Sequence, residues 1–120
     1  MISLTHVSKI FDGKRKATAL EGIDLEVVDL RTLAPLDKEA IFSSVHKTSK
    51  AIVLHEDNKT GGIGAEIAAL LAEECFDSLD GPIVRIAAPD TPVPFSTPLE
   101  EFFLPKTSDI VAAARKLAAY

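Results

Sequence analysis

Alternation marks the start of the chain. In MISLTHVSKIF, Ile2 and Leu4 share one face of an extended segment, while Thr5, Val7, Lys9 and Phe11 share the other. Period two predicts a half-buried strand there. Asp12-Gly13 opens a polar turn, DGKRK, of the kind that joins hairpin strands. A second strand is expected over the β-branched-rich IDLEVVDL, residues 23–30. Past Pro35 the period lengthens: Asp37 is placed to cap a helix, KEAIFSSVHK, with Ile41 and Val45 one turn apart. AIVLH, residues 51–55, is a nearly unbroken apolar run, which predicts a strand covered on both faces.

A glycine cluster, Gly61, Gly62 and Gly64, then leads into the longest predicted helix, from about Ile63 to Phe76. Its inward face is Ile63, Ile67, Leu70, Leu71 and Cys75. Gly81-Pro82 resets the chain before another strand, IVRIAA, residues 83–88. PDTPVPFSTP, residues 89–98, holds four prolines and is expected to be a rigid, extended connector. TSDIVAAARKLAAY closes as a helix, with a hydroxyl cap before Asp109 and with Arg115 and Lys116 near its C-terminal end, where the helix dipole favours cations.

From residue 23 onward the order is strand, helix, strand, helix, strand, connector, helix. Such alternation implies an α/β domain: a mainly parallel sheet of about four strands with helices on both faces. The first 22 residues break that rhythm and read as an antiparallel hairpin. The expected organisation is a hairpin segment, 1–22, followed by the α/β domain, 23–120.

Composition narrows the function. The 120 residues suit one domain; 47% are hydrophobic and 26% charged, an ordinary globular balance. A net charge of −5 argues against nucleic acid, since phosphate neutralisation needs clustered Lys and Arg. The charge is uneven: residues 51–120 carry five Lys/Arg against eleven Asp/Glu, so a basic partner would be drawn to that part. The single cysteine, Cys75, continues the row Ile63, Ile67, Leu71 and reads as a buried structural thiol. No segment approaches the ~18 consecutive apolar residues of a membrane span, and the N-terminus lacks the order of a signal peptide. A cytoplasmic protein is expected.

The strand–glycine–helix layout of AIVLHEDNKTGGIGAEIAALLAEE is that of a phosphate loop, but its residues are not. A dinucleotide fingerprint starting at Gly62 would place its third small residue where Ile67 stands. No acidic residue follows at the end of the next strand, and Gly13-Lys14 is not part of a Walker loop. Gly61, Gly62 and Gly64 are therefore read as a structural loop that permits a tight turn and close helix–sheet packing. His55-Glu56 lies where α/β proteins place catalytic residues, yet no nucleophile partners it locally, and His6, His46 and His55 have no metal-ligand spacing. Glu73-Glu74 and Glu100-Glu101 are sequence neighbours that do not share a helix face. No catalytic, cofactor-binding or metal-ligating residue is assigned.

VVDLRTLAPLDKEAI, HEDNKTGGIGAEIA, APDTPVPF and the closing LP…DIVAAARK, in that order and spacing, together resemble one known domain. It is the C-terminal domain of the β subunit of thiamine-diphosphate-dependent 2-oxoacid dehydrogenases, the transketolase C-terminal fold. The likeness covers about residues 23–120, and EECFDSLDGPI leans toward branched-chain or acetoin-type members. It implies a three-layer α/β/α scaffold with a noncatalytic role. Thiamine diphosphate would belong to the parent complex, not to this chain. The expected partners are the dehydrogenase α subunit and the basic binding domain of the acyltransferase core. The resemblance assigns partner contact to Asp80 and Tyr120, fitting the acidic second part.

The family domain normally opens with a strand and a helix before EVVDLRTL, and this chain has neither. Residues 1 to about 27 instead resemble the opening hairpin of an ABC importer's ATPase subunit, of the methionine-importer kind, stopping before any phosphate loop. A natural fusion, a rearrangement or an engineered chimera would each produce that seam. Strand Ile2–Phe11 is expected to pair antiparallel with Leu25–Leu30 and fill the vacant sheet position. The lost helix would leave exposed apolar surface and a tendency to self-associate. The competing reading is a small anion- or nucleotide-binding α/β module using the Gly61–Gly64 loop.

Overall fold

A computed structural model of the chain describes residues 22–120 and the backbone of residues 2–4. Four strands and four α-helices follow in order: β1 (Ile2–Leu4), β2 (Leu25–Val27), α1 (Lys38–Thr48), β3 (Ile52–Asn58), α2 (Ile63–Glu74), β4 (Val84–Ala88), α3 (Thr97–Phe103) and α4 (Thr107–Ala118). A single 3-10 turn, Phe76–Ser78, follows α2. The fold is the α/β type that the alternation predicts, with parallel strands β3 and β4 joined through α2.

Pairing departs from one continuous sheet. Among the described residues, β1 pairs only with β2, antiparallel, with Ile2 opposite Val27 and Leu4 opposite Leu25. β3 pairs only with β4, in parallel. The antiparallel sense expected of the first strand is therefore found, but the strand does not join β3. The expected sheet of about four strands is two ladders of two. The remainder of the N-terminal hairpin lies outside the described residues. β2 is also shorter than the predicted 23–30, because the chain turns away after Val27 toward an isolated bridge between Leu33 and Leu36.

The core follows from the helical rows. Ile41 and Val45 of α1, Val53 of β3, and Ile67 and Leu71 of α2 pack with Ala51 and Cys75 into one buried cluster. Leu71 and Cys75 are only 2% and 1% exposed. Leu30, Leu36, Phe42, Ile63, Leu79 and Ile83 close around the cluster. Burying such a leucine removes it from water at a gain of about 2 kcal/mol. α4 packs against β4 through a separate set of buried residues, Ala114 and Leu117, with Ala88 fully covered.

Local signals set the helix ends. Asp37 caps α1 as expected, its carboxylate accepting the Ala40 N–H at 3.0 Å. Ser49 stops that helix in the left-handed conformation, φ 57°. α4 differs from expectation: Lys106, not a hydroxyl residue, is the N-cap, and the Asp109 carboxylate reaches back to the Lys106 N–H at 3.0 Å. Thr107 and Ser108 lie inside the first turn instead. α3 interrupts the proline-rich connector, which the sequence reading carried through residue 98. Pro98 at the start of a helix is permitted because its missing N–H would have had no partner there.

Candidate functional site

The glycine turn is filled from within. Gly62 is the N-cap of α2, and Gly61 before it has φ +76°, a left-handed conformation that favours glycine. A Cβ on Gly62 would stand 2.2 Å from the Asn58 carbonyl and 2.8 Å from Cε1 of His55. On Gly64 it would stand 2.3 Å from Nε2 of His55 and 3.3 Å from Val53 Cγ1. The first turn of α2 thus lies directly on the His55 imidazole and on β3.

A second contact locks the turn to the end of β4. The Thr60 N–H and hydroxyl donate to the two oxygens of Asp90 at 2.8 and 2.6 Å, and the Arg85 guanidinium donates to the Lys59 carbonyl at 2.8 Å. The Thr60 hydroxyl, then the Thr60 amide, hold the Asp90 carboxyl below its ordinary range. Asp90 anchors the start of the connector, and beyond α3 the Asp109 carboxylate caps α4.

His55 is the unusual member. Both ring nitrogens are buried and, among the described residues, neither has a hydrogen-bond partner. Such a group is expensive to leave unmade, at about 1–3 kcal/mol. The imidazole also borders a large cleft of about 710 Å³ between β2 and β3. Its floor includes Ile41, Val45, Ile67 and Leu71, with Leu25 and Leu54 at the two flanking strands. Glu26 of β2 is tied across to α1 by Lys47 at 2.6 Å. The Lys47 hydrogen bond holds the Glu26 carboxyl below its ordinary value.

Tyr120 and Gly81, the residue after Asp80, are neighbours in space though far apart in sequence. Gly81 lies against the Tyr120 ring: an added Cβ would be 3.5 Å from Tyr120 Cβ and 3.2 Å from Leu117 Cδ1. Tyr120 is exposed, and the Asp80 side chain is 60% exposed while pairing with Lys50. The Asp80 N–H donates to the Ser49 carbonyl at 3.0 Å, fixing the loop. Cys75 is enclosed as expected, and burial, then the Glu74 charge, push its thiol pKa up.

The sequence reading did not single out the apolar surface of the connector and α3. Val93, Phe95, Leu99 and Phe102 are 67%, 103%, 56% and 72% exposed. The signal was present as large apolar residues within a proline-rich stretch, but a rigid connector predicts extension without saying which way its side chains point. Phe102 also borders a smaller hollow of about 420 Å³ with Arg85, Pro89 and Asp109.

These features define a layered α/β scaffold whose glycine turn serves packing. The chain spans residues of a known family: the model of the transketolase C-terminal domain matches residues 15–110. It belongs to that family. The match starts eight residues before the boundary expected at 23.

Several relatives are dehydrogenase β subunits. The chain is 48% identical over 113 residues to the β subunit of acetoin:2,6-dichlorophenolindophenol oxidoreductase of Bacillus subtilis, covering 88% of this chain and 33% of that protein. It is 45% identical over 101 residues to the 2-oxoisovalerate dehydrogenase β subunit of the same organism, covering 83% and 31%. With the pyruvate dehydrogenase E1 component β subunit of B. subtilis it shares 41% over 119 residues, covering 98% and 36%. The chain spans about a third of the length of these curated relatives.

No described helix is long and apolar enough to cross a membrane. His55 fills the glycine turn, the large cleft has an aliphatic floor, and no group of potential metal ligands gathers among the described residues.

Proposed function

We propose that this chain is a noncatalytic assembly domain of a 2-oxoacid dehydrogenase β subunit, of the pyruvate, branched-chain or acetoin type. It contributes to the contact with the α subunit and docks the acyltransferase core. The observation that carries this reading is the exposed Val93, Phe95, Leu99 and Phe102 set, an apolar surface that a subunit would cover. The adjacency of Tyr120 to the loop bearing Asp80 supports a second contact, in which an exposed carboxylate meets a basic partner. The cofactor and the acid–base groups then belong to other parts of the complex.

Two binding measurements test it. Phe95→Glu is expected to weaken capture of the α subunit at least about tenfold, because a charge replaces an interface anchor. Asp80→Lys is expected to weaken binding of the acyltransferase's basic binding domain by about tenfold or more while leaving capture of the α subunit intact. Unchanged affinity in both variants would sink the assembly reading. A saturable thermal shift with ATP, NAD or thiamine diphosphate would favour the small nucleotide-binding alternative.

A further inference from the structure

Packing accounts for the glycines of the turn, but not for how closely the residues before them are bonded to the end of β4. The Lys59 N–H donates to the Ala88 carbonyl at 3.2 Å, and the Lys59 carbonyl accepts from Arg85 at 2.8 Å. Thr60, next to it, donates twice to Asp90, from its amide and from its hydroxyl. Asp90 stands where β4 gives way to the connector. There the Thr91 N–H donates to the Pro89 carbonyl at 2.8 Å and closes a three-residue bend with Asp90 at its apex. The bend that sets the connector's exit is therefore held by both oxygens of its central side chain.

The residues that follow make that hold consequential. Pro89, Pro92 and Pro94 fix φ along the connector, so its direction at Asp90 is carried outward to Val93 and Phe95. Val93 and Phe95 are 67% and 103% exposed, so packing of their own does little to steady them. At the far end Phe103, 7% exposed, roots α3. Where Phe95 stands is thus decided at the two ends of the connector, and Asp90 is the nearer polar hold.

We propose that residues 58–62 form a clamp that aims the connector, with Thr60 and Asp90 as positioning residues for the docking surface at Val93 and Phe95. The proposal rests on the assembly reading for what binds there, and on the geometry of this chain for the clamp itself. A partner that meets Phe95 already in place does not have to order the connector on binding, and keeps that part of its affinity. Gly61, in its left-handed conformation, and Gly62 turn the chain into α2 directly after Thr60, which keeps Thr60 against Asp90.

Two measurements on Asp90→Ala test the clamp. In the free chain, nitroxide labels on Glu73→Cys and Val93→Cys report where the connector lies relative to α2, while the buried Cys75 stays unlabelled. Loss of the clamp is expected to broaden the distance distribution. Asp90→Asn, whose amide oxygen still accepts from Thr60, is expected to keep the parent width. With the dehydrogenase α subunit, Asp90→Ala should bind about fivefold more weakly and Asp90→Asn much as the parent does. Phe95→Glu should cost much less in the Asp90→Ala background than in the parent chain, because both changes act through one surface.

Equal distribution widths in the parent and Asp90→Ala overturn the clamp, whatever the partner does. Additive losses in the double variant overturn it too, since a general loosening of the fold would then explain Asp90→Ala. Parent-like binding by Asp90→Ala, where Phe95→Glu is weakened, ends the clamp's role in docking and leaves the assembly reading standing. Parent-like binding by Phe95→Glu removes the docking surface instead, and the label widths then decide the clamp alone. Should Asp90→Ala fail to fold, Thr60→Val, which keeps the amide donor and drops only the hydroxyl, carries the same comparisons.

Discussion

One strand, β3, separates two unlike regions. Its β4 edge is laddered, and on its α2 face the glycine turn closes onto His55 and Leu71 packs at 2% exposure. On its β2 side lies the cleft, where Leu54 is 48% exposed although it follows the buried Val53 directly. Alternation alone would send Val53 and Leu54 to opposite faces, both of them covered in a domain with helices on each side. The difference teaches that, among the described residues, packing is complete around α2 and incomplete toward β2.

The largest expected effects break the packed region. Leu71→Ala should lower unfolding free energy by about 3 kcal/mol, measured by urea titration, because it opens a cavity in a closed core. Leu54→Ala should cost less than about 1 kcal/mol in the same titration. Equal losses would erase the distinction between the two regions. Gly64→Ala places a methyl against the His55 ring and the Val53 side chain, and should cost about 2 kcal/mol. Combining it with His55→Ala should restore part of that loss if the imidazole is the obstacle.

Smaller effects sharpen the comparison. Asp37→Ala removes the side-chain acceptor from the Ala40 N–H and should cost about 1 kcal/mol, read as a lower urea midpoint with an unchanged slope.

Acidification should act more gently, through the two ties at Glu26 and Asp90. Both carboxyls are held below their ordinary values of 4.5 and 3.8 in the folded chain. Their contribution is therefore complete at neutral pH. It begins to fall once the unfolded chain takes up protons near those ordinary values, and is lost as pH drops through the lowered folded values. Melting temperatures measured between pH 6 and pH 3 should fall less steeply in Glu26→Gln and Asp90→Asn than in the parent. Parallel curves would show that neither tie matters to stability.

Much of this fold is local physics. Ile41 and Val45 one turn apart, the row from Ile63 to Cys75, and Asp37 before an apolar-periodic segment each dictate a helix within reach of their own neighbours. Those helices form where the pattern places them. The prolines hid α3, since Pro92, Pro94 and Pro98 argue for extension, although Pro98 suits a first helical turn and Glu100 favours its positive end. The cap of α4 was misplaced by one element of local competition: Asp109 bonds back to Lys106, and the hydroxyls are left inside the turn.

The sequence by itself determined the α/β class and the family, because helical rows and motif spacing are properties of neighbouring positions. Tertiary structure alone decided that His55 would sit under Gly62 and Gly64, that Tyr120 would lie beside the Asp80 loop, and that, among the described residues, His55 would lack a polar partner and β1–β2 would not pair with β3–β4. Each of those facts depends on the approach of segments separated by many residues. Periodicity tells a strand which face is apolar; only packing tells it whether anything arrives to cover that face.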